Sequence, residues 1–499
     1  MRNILGVLIF GCLIAFNNPA TAKPDTLWTR SYGGSIEHDV GYTVQQTFDG
    51  GYIIIGETES YGEDDIYLIK TDALGDTIWT KTSFYEDRCG LWGGGGGPYG
   101  QQTSDSGYII TGWTNPAAGF SNLFILKINS LGDTVWTKIY SRDSVNIGQA
   151  IRQTSDGGYV ITGYTGSEGS GGDIDVWLLK TDSLGDILWT KTYGDADWEE
   201  GFSIQQTLDG GYIITGYKNP GTGNTDSWLI KTDANGNLLW DKTFGDSGND
   251  YGFSVRQTTD GGYIIVGDTE VSGEYAWLIK TDANGNKLWD KTFGVTTRGN
   301  CVQQTQDGGY IITGSGQATN GIFDLWVVKT DSLGDTLWTQ VYGGTSSEHG
   351  YYVQQTSDGG YIITGVTNSS GIAGNLDVWL LKIEPEPVDV EEKADSHKID
   401  ESFILYQNTP NPFTQKTVIR IQGLEVSKKQ TVAADFSLSI YDLAGKLTCT
   451  LPISRIQSPV TEVVWDGRDN FGKRVPNGVY FYKLRASDCA ITKKMYLIK

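Results

Sequence analysis

One segment recurs seven times along this chain of 499 residues, and it limits what the chain can fold into. With small variations the segment reads Gln-Gln-Thr-x-Asp-Gly-Gly-Tyr, and its copies follow one another at a period of roughly 50 residues. The tyrosines that end the copies are Tyr52, Tyr108, Tyr159, Tyr212, Tyr263, Tyr310 and Tyr361. A fixed period of this length is typical of an array in which each repeat packs only against its neighbours.

Each repeat carries the pattern of four short strands. Between residues 201 and 245, the stretches 201–207, 212–217, 227–232 and 238–244 are rich in alternating, β-branched and aromatic residues. Asp-Gly-Gly and Asp-Ala-Asn-Gly segments separate the first pair and the last pair, and both are turn signals because glycine tolerates a positive φ. We name these strands A, B, C and D. Four strands per repeat predict one blade of a β-propeller.

The two ends of the repeat region complement each other. The seventh repeat stops at Ile383, after strand C, whereas residues 25–34 match residues 335–344, a strand D region, nearly one for one. We therefore expect the N-terminal strand to complete the seventh blade and close the ring, which removes the exposed sheet edges. The predicted fold class is all-β, with a seven-bladed β-propeller over residues 23–383.

The first 22 residues have the composition of a cleaved secretory signal peptide. Arg2 precedes an apolar run from Ile4 to Phe16, and Ala20-Thr21-Ala22 gives an A-x-A cleavage site. Acylation at Cys12, as in a lipoprotein, is the alternative. No later apolar run approaches the ~18 residues of a transmembrane helix, so no transmembrane span is expected.

Charge argues against one class of partner. The chain has 38 Lys and Arg against 60 Asp and Glu, a net charge of −22, which repels phosphate backbones and makes nucleic acid an unsuitable ligand.

Of the cysteines, Cys449 and Cys489 share the C-terminal region and could form a disulfide.

The topology of a propeller predicts which surface binds a ligand. The A–B and C–D turns share one face, which we call the turn face, and the B–C loops and D–A connections share the other, the loop face. The turns are nearly identical while the loops vary, so we expect binding at the loop face. Acidic residues recur in its D–A connections, at Asp39, Glu199, Asp250 and Glu348.

Two of these acidic positions lie beside a histidine, in Glu37-His38-Asp39 and Glu348-His349. They are candidates for a metal or substrate site, with calcium possible, and the alternative is solvated loop charge that recurs because the repeat was duplicated. The candidate ligand-stacking aromatics of the loop face are Trp113, Trp198, Phe120 and Phe323. The regularly spaced tryptophans of strand D and the turn aspartates are expected to be structural instead.

Strand A should line a central channel. The glutamine before threonine is present in every repeat and forms a predicted ring of Gln46, Gln102, Gln153, Gln206, Gln257, Gln304 and Gln355. The residue before it is also glutamine, except at Arg152 and Arg256. Such a ring binds a polar ligand or a column of water, or its amides satisfy one another and the backbone; the last is favoured.

The C-terminal region is different in character. An acidic, proline-containing linker over residues 384–402 leads to residues 403–499, where short strands alternate with turn signals in the manner of a small immunoglobulin-like sandwich. Its motifs are Asn408-Thr-Pro410-Asn411-Pro412-Phe413, Trp465-Asp466-Gly467, Gly478-Val-Tyr480 and a basic end at Lys499.

These motifs resemble the C-terminal sorting domain of the type IX secretion system and the related FlgD-type Ig-like domain. The repeats resemble extracellular bacterial propellers built on Asp-Gly-Gly-Tyr hairpins. The resemblance implies export across the periplasm, recognition by the outer-membrane secretion machinery, and a secreted or cell-surface location on a Gram-negative-type bacterium.

No catalytic motif or catalytic residue is identified, and no cofactor is predicted. The chain is therefore expected to be a non-catalytic module that binds an extracellular glycan or protein. A propeller enzyme acting on extracellular polysaccharide and a purely structural surface protein are the alternatives.

Overall fold

A computed structural model describes most of the chain, in segments listed by number. These are residues 23–33, 38–59, 65–82, 88–90, 99–115, 120–141, 144–166, 173–195, 197–219, 223–270, 273–294, 297–317, 321–368, 376–386, 403–406, 408, 413–423, 436–442, 446–453, 461–486 and 489–497. The predicted signal peptide, most of the linker, and Glu37, Pro410, Asn411, Pro412 and Lys499 lie outside the described residues.

Every regular element in these segments is a β-strand, which confirms the all-β prediction. The chain divides into two compact units, Met1–Pro387 and Val388–Lys499. The strands of the first unit are β1 (Thr26–Tyr32), β2 (Asp39–Gln46), β3 (Tyr52–Thr58), β4 (Asp65–Thr71), β5 (Thr77–Lys81), β6 (Arg88–Gly90), β7 (Gly100–Gln102), β8 (Tyr108–Asn115), β9 (Asn122–Ile128), β10 (Thr134–Tyr140), β11 (Asn146–Gln153), β12 (Tyr159–Gly166), β13 (Ile174–Thr181), β14 (Ile187–Tyr193), β15 (Glu199–Gln206), β16 (Tyr212–Lys218), β17 (Asp226–Thr232), β18 (Leu238–Phe244), β19 (Asp250–Gln257), β20 (Tyr263–Glu270), β21 (Glu274–Thr281), β22 (Lys287–Phe293), β23 (Thr297–Gln304), β24 (Tyr310–Gln317), β25 (Phe323–Thr330), β26 (Thr336–Tyr342), β27 (Glu348–Gln355), β28 (Tyr361–Thr367) and β29 (Asp377–Ile383).

These strands form antiparallel sheets of four strands in the order A-B-C-D, as the repeat predicts. We number the sheets along the chain: sheet 1 (β2–β5), sheet 2 (β6–β10), sheet 3 (β11–β14), sheet 4 (β15–β18), sheet 5 (β19–β22), sheet 6 (β23–β26) and sheet 7 (β27–β29 with β1). In sheet 2 the place of strand A is shared by the short strands β6 and β7. Each sheet contacts the next, and sheet 7 contacts sheet 1 through β28 and β2.

The N-terminal strand occupies the place predicted for it. β1 pairs antiparallel with β29, with Trp28 opposite Lys382 and Tyr32 opposite Val378. It thereby becomes strand D of sheet 7, so the two ends of the repeat region are joined by backbone hydrogen bonds.

Aromatic pairs hold neighbouring sheets together. In all seven junctions a strand D tryptophan meets the strand B tyrosine of the next sheet, with ring centroids 5.9 to 6.2 Å apart. The pairs are Trp28–Tyr52, Trp79–Tyr108, Trp136–Tyr159, Trp189–Tyr212, Trp240–Tyr263, Trp289–Tyr310 and Trp338–Tyr361. The tyrosines are at most 2% exposed. The structural interpretation of these aromatics is confirmed.

The aspartate of each A–B turn forms the hairpin, as expected, and has a second partner that the sequence analysis missed. In sheet 4, Oδ1 of Asp209 accepts hydrogen bonds from the Thr207 hydroxyl at 2.5 Å and the Gly211 N–H at 3.0 Å. It also pairs with the strand C lysine Lys231, which is buried. The seven pairs are Asp49–Lys70, Asp105–Lys127, Asp156–Lys180, Asp209–Lys231, Asp260–Lys280, Asp307–Lys329 and Asp358–Lys382. The recurrence of lysine before Thr-Asp or its variants in strand C was the available signal.

The second unit consists of two antiparallel sheets around one core. Its strands are β30 (Phe403–Leu405), β31 (Thr417–Gly423), β32 (Phe436–Asp442), β33 (Leu447–Leu451), β34 (Thr461–Trp465), β35 (Gly478–Ala486) and β36 (Cys489–Leu497). The sheet orders are β30-β31-β34 and β33-β32-β35-β36. Cys449 is a free thiol in this core, so the disulfide with Cys489 considered from the sequence is not formed.

The motif residues of the second unit have folding roles. Phe413 and Tyr480 both pack on Trp465, with ring centroids 5.6 and 5.1 Å away. The side chain of Asn408 donates to the Thr417 hydroxyl at 2.8 Å. Asp466 is exposed and pairs with Arg468, while Gly467 and Gly478 have positive φ angles of 72° and 154°.

Within the described segments, no helix has the length and apolar character needed to cross a membrane.

Candidate functional site

The four recurring acids of the D–A connections lie at the junctions between sheets. Asp39, Glu199, Asp250 and Glu348 are each the first residue of a strand A, and each is at most 1% exposed. They are thus buried at the loop-face end of the sheets and are not solvated loop charges.

Each of these acids faces an aspartate at the start of strand C of the preceding sheet. A glycine separates the two, and a Cβ on that glycine would clash with both carboxylates. The pairs are Asp377–Asp39 across Gly33, Asp175–Glu199 across Gly194, Asp226–Asp250 across Gly245 and Asp324–Glu348 across Gly343. The strand C partners were not identified from the sequence, although an Asp-x-Trp pattern recurs at all four of them.

In three of the four pairs the strand A acid also closes the D–A connection. A side-chain oxygen accepts the N–H of the residue that follows the glycine, at 3.3 Å in Glu199, 3.0 Å in Asp250 and 3.0 Å in Glu348. This hydrogen bond links four residues of loop to the start of a strand. The junction carboxylates therefore have a structural role whether or not they bind a ligand.

Burial of two carboxylates at one junction disfavours their ionised forms. Burial raises the pKa of Glu199 to about 7, and it raises the pKa values of Asp175, Asp226 and Asp250. The pKa of Asp324 is raised by burial and by the carboxyl group of Glu348. These five carboxyl groups therefore keep their protons to higher pH than exposed carboxyl groups do.

A cation would relieve the same repulsion, and carboxylate oxygens are the ligands that calcium prefers. The described residues nevertheless contain no group of three or more His, Cys, Asp and Glu side chains placed to hold a metal ion. A pair of carboxylates would need main-chain oxygens or water to complete the shell. Calcium binding stays a prediction for these junctions.

The raised pKa values give a pH dependence of stability whose sign can be stated. A carboxyl group whose pKa is higher in the folded than in the unfolded state stabilises the fold below its unfolded value of 4.5, and that contribution is lost as the pH rises through about 7. We expect the free energy of unfolding to fall between pH 4.5 and pH 8, and the variant Glu199→Gln to lose part of this slope. Thermal unfolding of the full chain at both pH values measures it.

At pH 8 the Glu199→Gln variant should be more stable than the wild type, by on the order of 1–3 kcal/mol. At pH 4.5 the two should be similar. Asp76→Asn, which changes an exposed acid paired with Arg30, is the control and should leave the slope unchanged. A wild-type melting temperature that rises from pH 4.5 to pH 8 would contradict the prediction. Stabilisation by calcium at pH 8, absent in Glu199→Gln, would identify a cation site.

The two histidines are at different junctions. Nδ1 of His38 accepts the N–H of Leu376 at 3.2 Å, at the junction of sheets 7 and 1. His349 lies at the junction of sheets 6 and 7, where its Nδ1 is 2.8 Å from the Ser315 hydroxyl and its ring stacks on Phe323 at 6.0 Å. Burial lowers the pKa of His349. The structure gives each histidine its own structural partners.

Two of the four candidate aromatics are exposed on the loop face. Trp198 is 55% exposed and Phe120 is 55% exposed, whereas Trp113 and Phe323 are partly buried. The carbonyl of Trp198 accepts the N–H of Asn219, which follows Lys218 at the end of β16. A groove of about 530 Å³ runs along strands β14 and β18; Asp195 and Lys218 are among its lining residues, and Trp198 is not.

Each glutamine of the predicted ring forms a hydrogen bond to the A–B turn of the neighbouring sheet. The Oε1 atom of each glutamine accepts the N–H of a turn residue in the preceding sheet, at 2.8 or 2.9 Å. The bonds run from Phe48 to Gln102, Ser104 to Gln153, Ser155 to Gln206, Leu208 to Gln257, Thr259 to Gln304, Gln306 to Gln355 and Ser357 to Gln46. The last bond joins sheet 7 to sheet 1. The amides thus bond to the backbone, which is part of the arrangement that we favoured from the sequence over ligand or water binding.

Comparison with known proteins finds only remote structural similarity. No protein-family model matches the chain, and no curated protein matches it. Among solved structures, it is similar to PorZ, an essential surface component of the type IX secretion system of Porphyromonas gingivalis, with a TM-score of 0.43 and 11% identity over 94% of this chain. The match spans 60% of the length of PorZ.

Two further solved structures match at the same level. A fungal alcohol oxidase of the AA5 family, in complex with copper, has a TM-score of 0.44 and 11% identity over 95% of this chain and 100% of its own. A protein of unknown function from Dyadobacter fermentans has a TM-score of 0.43 and 11% identity over 74% of this chain and 100% of its own. Similarity this remote assigns neither a site nor an activity.

Proposed function

We propose that the first unit is a seven-bladed β-propeller over residues 23–383, closed by its N-terminal strand. The proposal is supported by the seven tryptophan–tyrosine pairs and by the seven hydrogen bonds of the glutamines to the A–B turns. Both series run from each sheet to the next and from sheet 7 back to sheet 1. A closed ring has a rigid frame, and its variable loops are the part free to specialise.

We also propose that residues 1–22 are a signal peptide, that residues 384–402 are a linker, and that residues 403–499 form an Ig-like sorting domain for type IX secretion. The support is in the sequence motifs and in the roles that Phe413, Trp465 and Tyr480 share in one aromatic cluster of the core. On this proposal the protein is exported across the outer membrane and works in the medium or at the cell surface.

The function that the geometry supports best is non-catalytic binding of an extracellular glycan by the loop face. The observation that carries it is Trp198, a large aromatic side chain in a D–A connection of the loop face that is 55% exposed. Aromatic rings exposed in this way present a flat apolar surface with a polar edge, which suits the face of a sugar ring. A protein partner is the second candidate for the same surface.

The groove lined by Asp195 and Lys218 has the polar groups that hydroxyl-rich ligands require. Lys218 forms an ion pair with Asp195 and lies over the ring of Trp228, with Nζ 5.0 Å from the ring centroid. The indole N–H of Trp228 donates to Asp241 at 2.9 Å. These side chains hold one another in place, so the groove has a fixed pattern of charges before any ligand arrives.

The variant Trp198→Ala tests this proposal. In a glycan-array screen of the full chain, with and without calcium, we expect the wild type to bind at least one glycan and Trp198→Ala to bind it about tenfold or more weakly, since tryptophan dominates many binding surfaces. The matched control is Leu208→Ser, which changes an 89% exposed apolar residue on the turn face and should leave binding unchanged.

The other outcomes separate the alternatives. Equal loss of binding in both variants would contradict a loop-face site. Turnover of a bound glycan, seen by product analysis, would replace the binding module with a polysaccharide-active enzyme. Absence of binding to any glycan would leave a protein partner or a structural surface role.

A further inference from the structure

The centre of the first unit contains a small cavity that strands A of several sheets line together. Its volume is about 180 Å³, and its lining residues come from sheets 1, 2, 3, 5, 6 and 7. The charged residues among them are Arg152 of sheet 3 and Arg256 of sheet 5. This is the place where the repeat departs from glutamine, so the cavity differs from a simple ring of amides.

The two arginines approach one hydroxyl group from different sheets. Nη2 of Arg256 donates to Oη of Tyr352 at 2.9 Å, and Nη1 donates to the carbonyl of Val255 at 2.8 Å. Arg152 lines the same cavity as Tyr352 and lies close enough to it for the two side chains to interact. Burial lowers the pKa of Arg152, and the nearby charge of Arg256 lowers it further. Two guanidinium groups therefore share one small space.

The nine lining residues include no carboxylate. The remaining residues are Thr43, Gln45, Gly100, Gln303, Tyr352, Val353 and Gln354. Elsewhere among the described residues, cations inside the unit are compensated: each of the seven strand C lysines pairs with a turn aspartate. Although the chain has 60 acidic residues, none of them lines the cavity in which Arg152 and Arg256 meet.

The sheets that retain glutamine show what the arginines replace. There the glutamine Oε1 accepts a strand A N–H of the next sheet: Gln45 from Gln102 at 2.7 Å, Gln205 from Gln257 at 2.7 Å, Gln303 from Gln355 at 2.6 Å and Gln354 from Gln46 at 2.7 Å. Arginine has five N–H donors and no acceptor. Arg152 and Arg256 therefore supply no such acceptor to Gln206 and Gln304, and the cavity gains donors.

We propose that this cavity binds a small oxyanion, a carboxylate, sulfate or phosphate group, between Arg152, Arg256 and Tyr352. The planar fork of arginine matches the paired oxygens of such groups, and it is the usual choice where they are bound away from bulk water. The cavity has room for a free anion or for the acidic group of a small molecule.

The bound anion bridges three sheets across the channel, so binding also stabilises the ring by mass action. The inference does not depend on glycan binding at the loop face, because neither Trp198 nor any residue of the groove of Asp195 and Lys218 lines the cavity. Either can fail without the other.

Isothermal titration calorimetry and thermal unfolding of the full chain test the inference, with sulfate, phosphate and acetate as probes. Chloride holds the ionic strength constant and is the spherical anion for comparison. We expect saturable binding of at least one oxyanion, accompanied by a rise in melting temperature. Each of Arg152→Gln and Arg256→Gln should weaken binding about tenfold, and the double variant should abolish it.

The glutamine variants restore the residue that the five other sheets carry, so they are expected to fold; unfolding in chloride alone checks this. Tyr352→Phe gives a second test that keeps the ring and removes the hydroxyl, and it should weaken binding several-fold. Arg30→Gln, at an exposed ion pair with Asp76, is the control and should bind as the wild type does. Which probe binds most tightly separates a carboxylate from a sulfate or phosphate ligand.

Two results would overturn the inference. One is the lack of saturable binding of all three oxyanions to the wild-type chain. The other is the same affinity in the wild type and in the folded double variant, which would show that the anions bind elsewhere.

Discussion

A chain that lacks residues 23–33 is expected to lose the cooperative thermal unfolding of its first unit. These residues form β1, which pairs along its length with β29 and contributes Trp28 and Tyr32 to the core. Trp28 packs against Tyr52 of sheet 1, and the Tyr32 hydroxyl donates to the carbonyl of Gly75 at 2.6 Å. Without β1 the junction of sheets 7 and 1 loses these contacts, and β29 becomes an exposed edge.

The expected loss is on the order of 5–10 kcal/mol, since deletion of a buried large aromatic costs about 3–5 kcal/mol and each lost hydrogen bond about 1 kcal/mol. That is comparable to the whole stability of a typical domain. Scanning calorimetry measures the transition, and size-exclusion chromatography detects association through the exposed edge.

The control for this deletion is Leu27→Thr, which keeps β1 and changes a residue that is 50% exposed. It should unfold as the wild type does. A truncated chain that retains the wild-type melting temperature would mean that β1 does not close the ring, and the propeller proposal would lose its main support.

The second large effect concerns the buried lysines. Lys329→Ala is expected to destabilise the first unit by about 2–5 kcal/mol, because it removes a fully buried side chain together with its ion pair to the half-exposed Asp307. Nζ of Lys329 is 2.7 Å from Oδ2 of Asp307 and 2.9 Å from the carbonyl of Thr330, and the side chain is 0% exposed. The variant leaves a cavity and an unsatisfied carbonyl at the A–B turn. Urea unfolding at pH 7 measures the change.

Lys291→Ala is the matched control, since Lys291 also pairs with an aspartate of its own unit. The pair Lys291–Asp335 has a similar distance, 2.9 Å, but its side chains are 39% and 64% exposed. Exposed pairs contribute about 0–1 kcal/mol, so this variant should be almost neutral. If the two variants lost the same free energy, burial of the lysine would not be the cause.

Much of the fold could be predicted because it follows from local patterns repeated many times. Asp209-Gly210-Gly211 specifies a turn by itself, and the match of residues 25–34 to residues 335–344 predicts that β1 pairs with β29. Short strands that are joined by such tight turns can pair in few ways other than as antiparallel hairpins. The roles of the tryptophans followed from the same regularity, because a large apolar side chain at a fixed place in every repeat must be buried against its neighbour.

The candidate sites were less predictable. Asp250 reads as a loop acid in the sequence, yet its environment depends on Asp226, which is brought to it from the preceding sheet across Gly245. The sequence identified His38 and His349 as candidates, but their partners, the N–H of Leu376 and the hydroxyl of Ser315, could not be predicted from it. The two arginines of strand A differ visibly from the other repeats, but the sequence does not show that they line one cavity together with Tyr352.

The number of repeats, the strands within them, the turns and the pairing of the N-terminal strand could be read from the chain, because they depend on sequence neighbours and on a visible period. Which charges are buried, which carboxylates face one another and which donors line the central cavity became clear from the three-dimensional arrangement alone. Those properties depend on distances between residues of different sheets, and electrostatic interactions change with burial and distance more than with residue type.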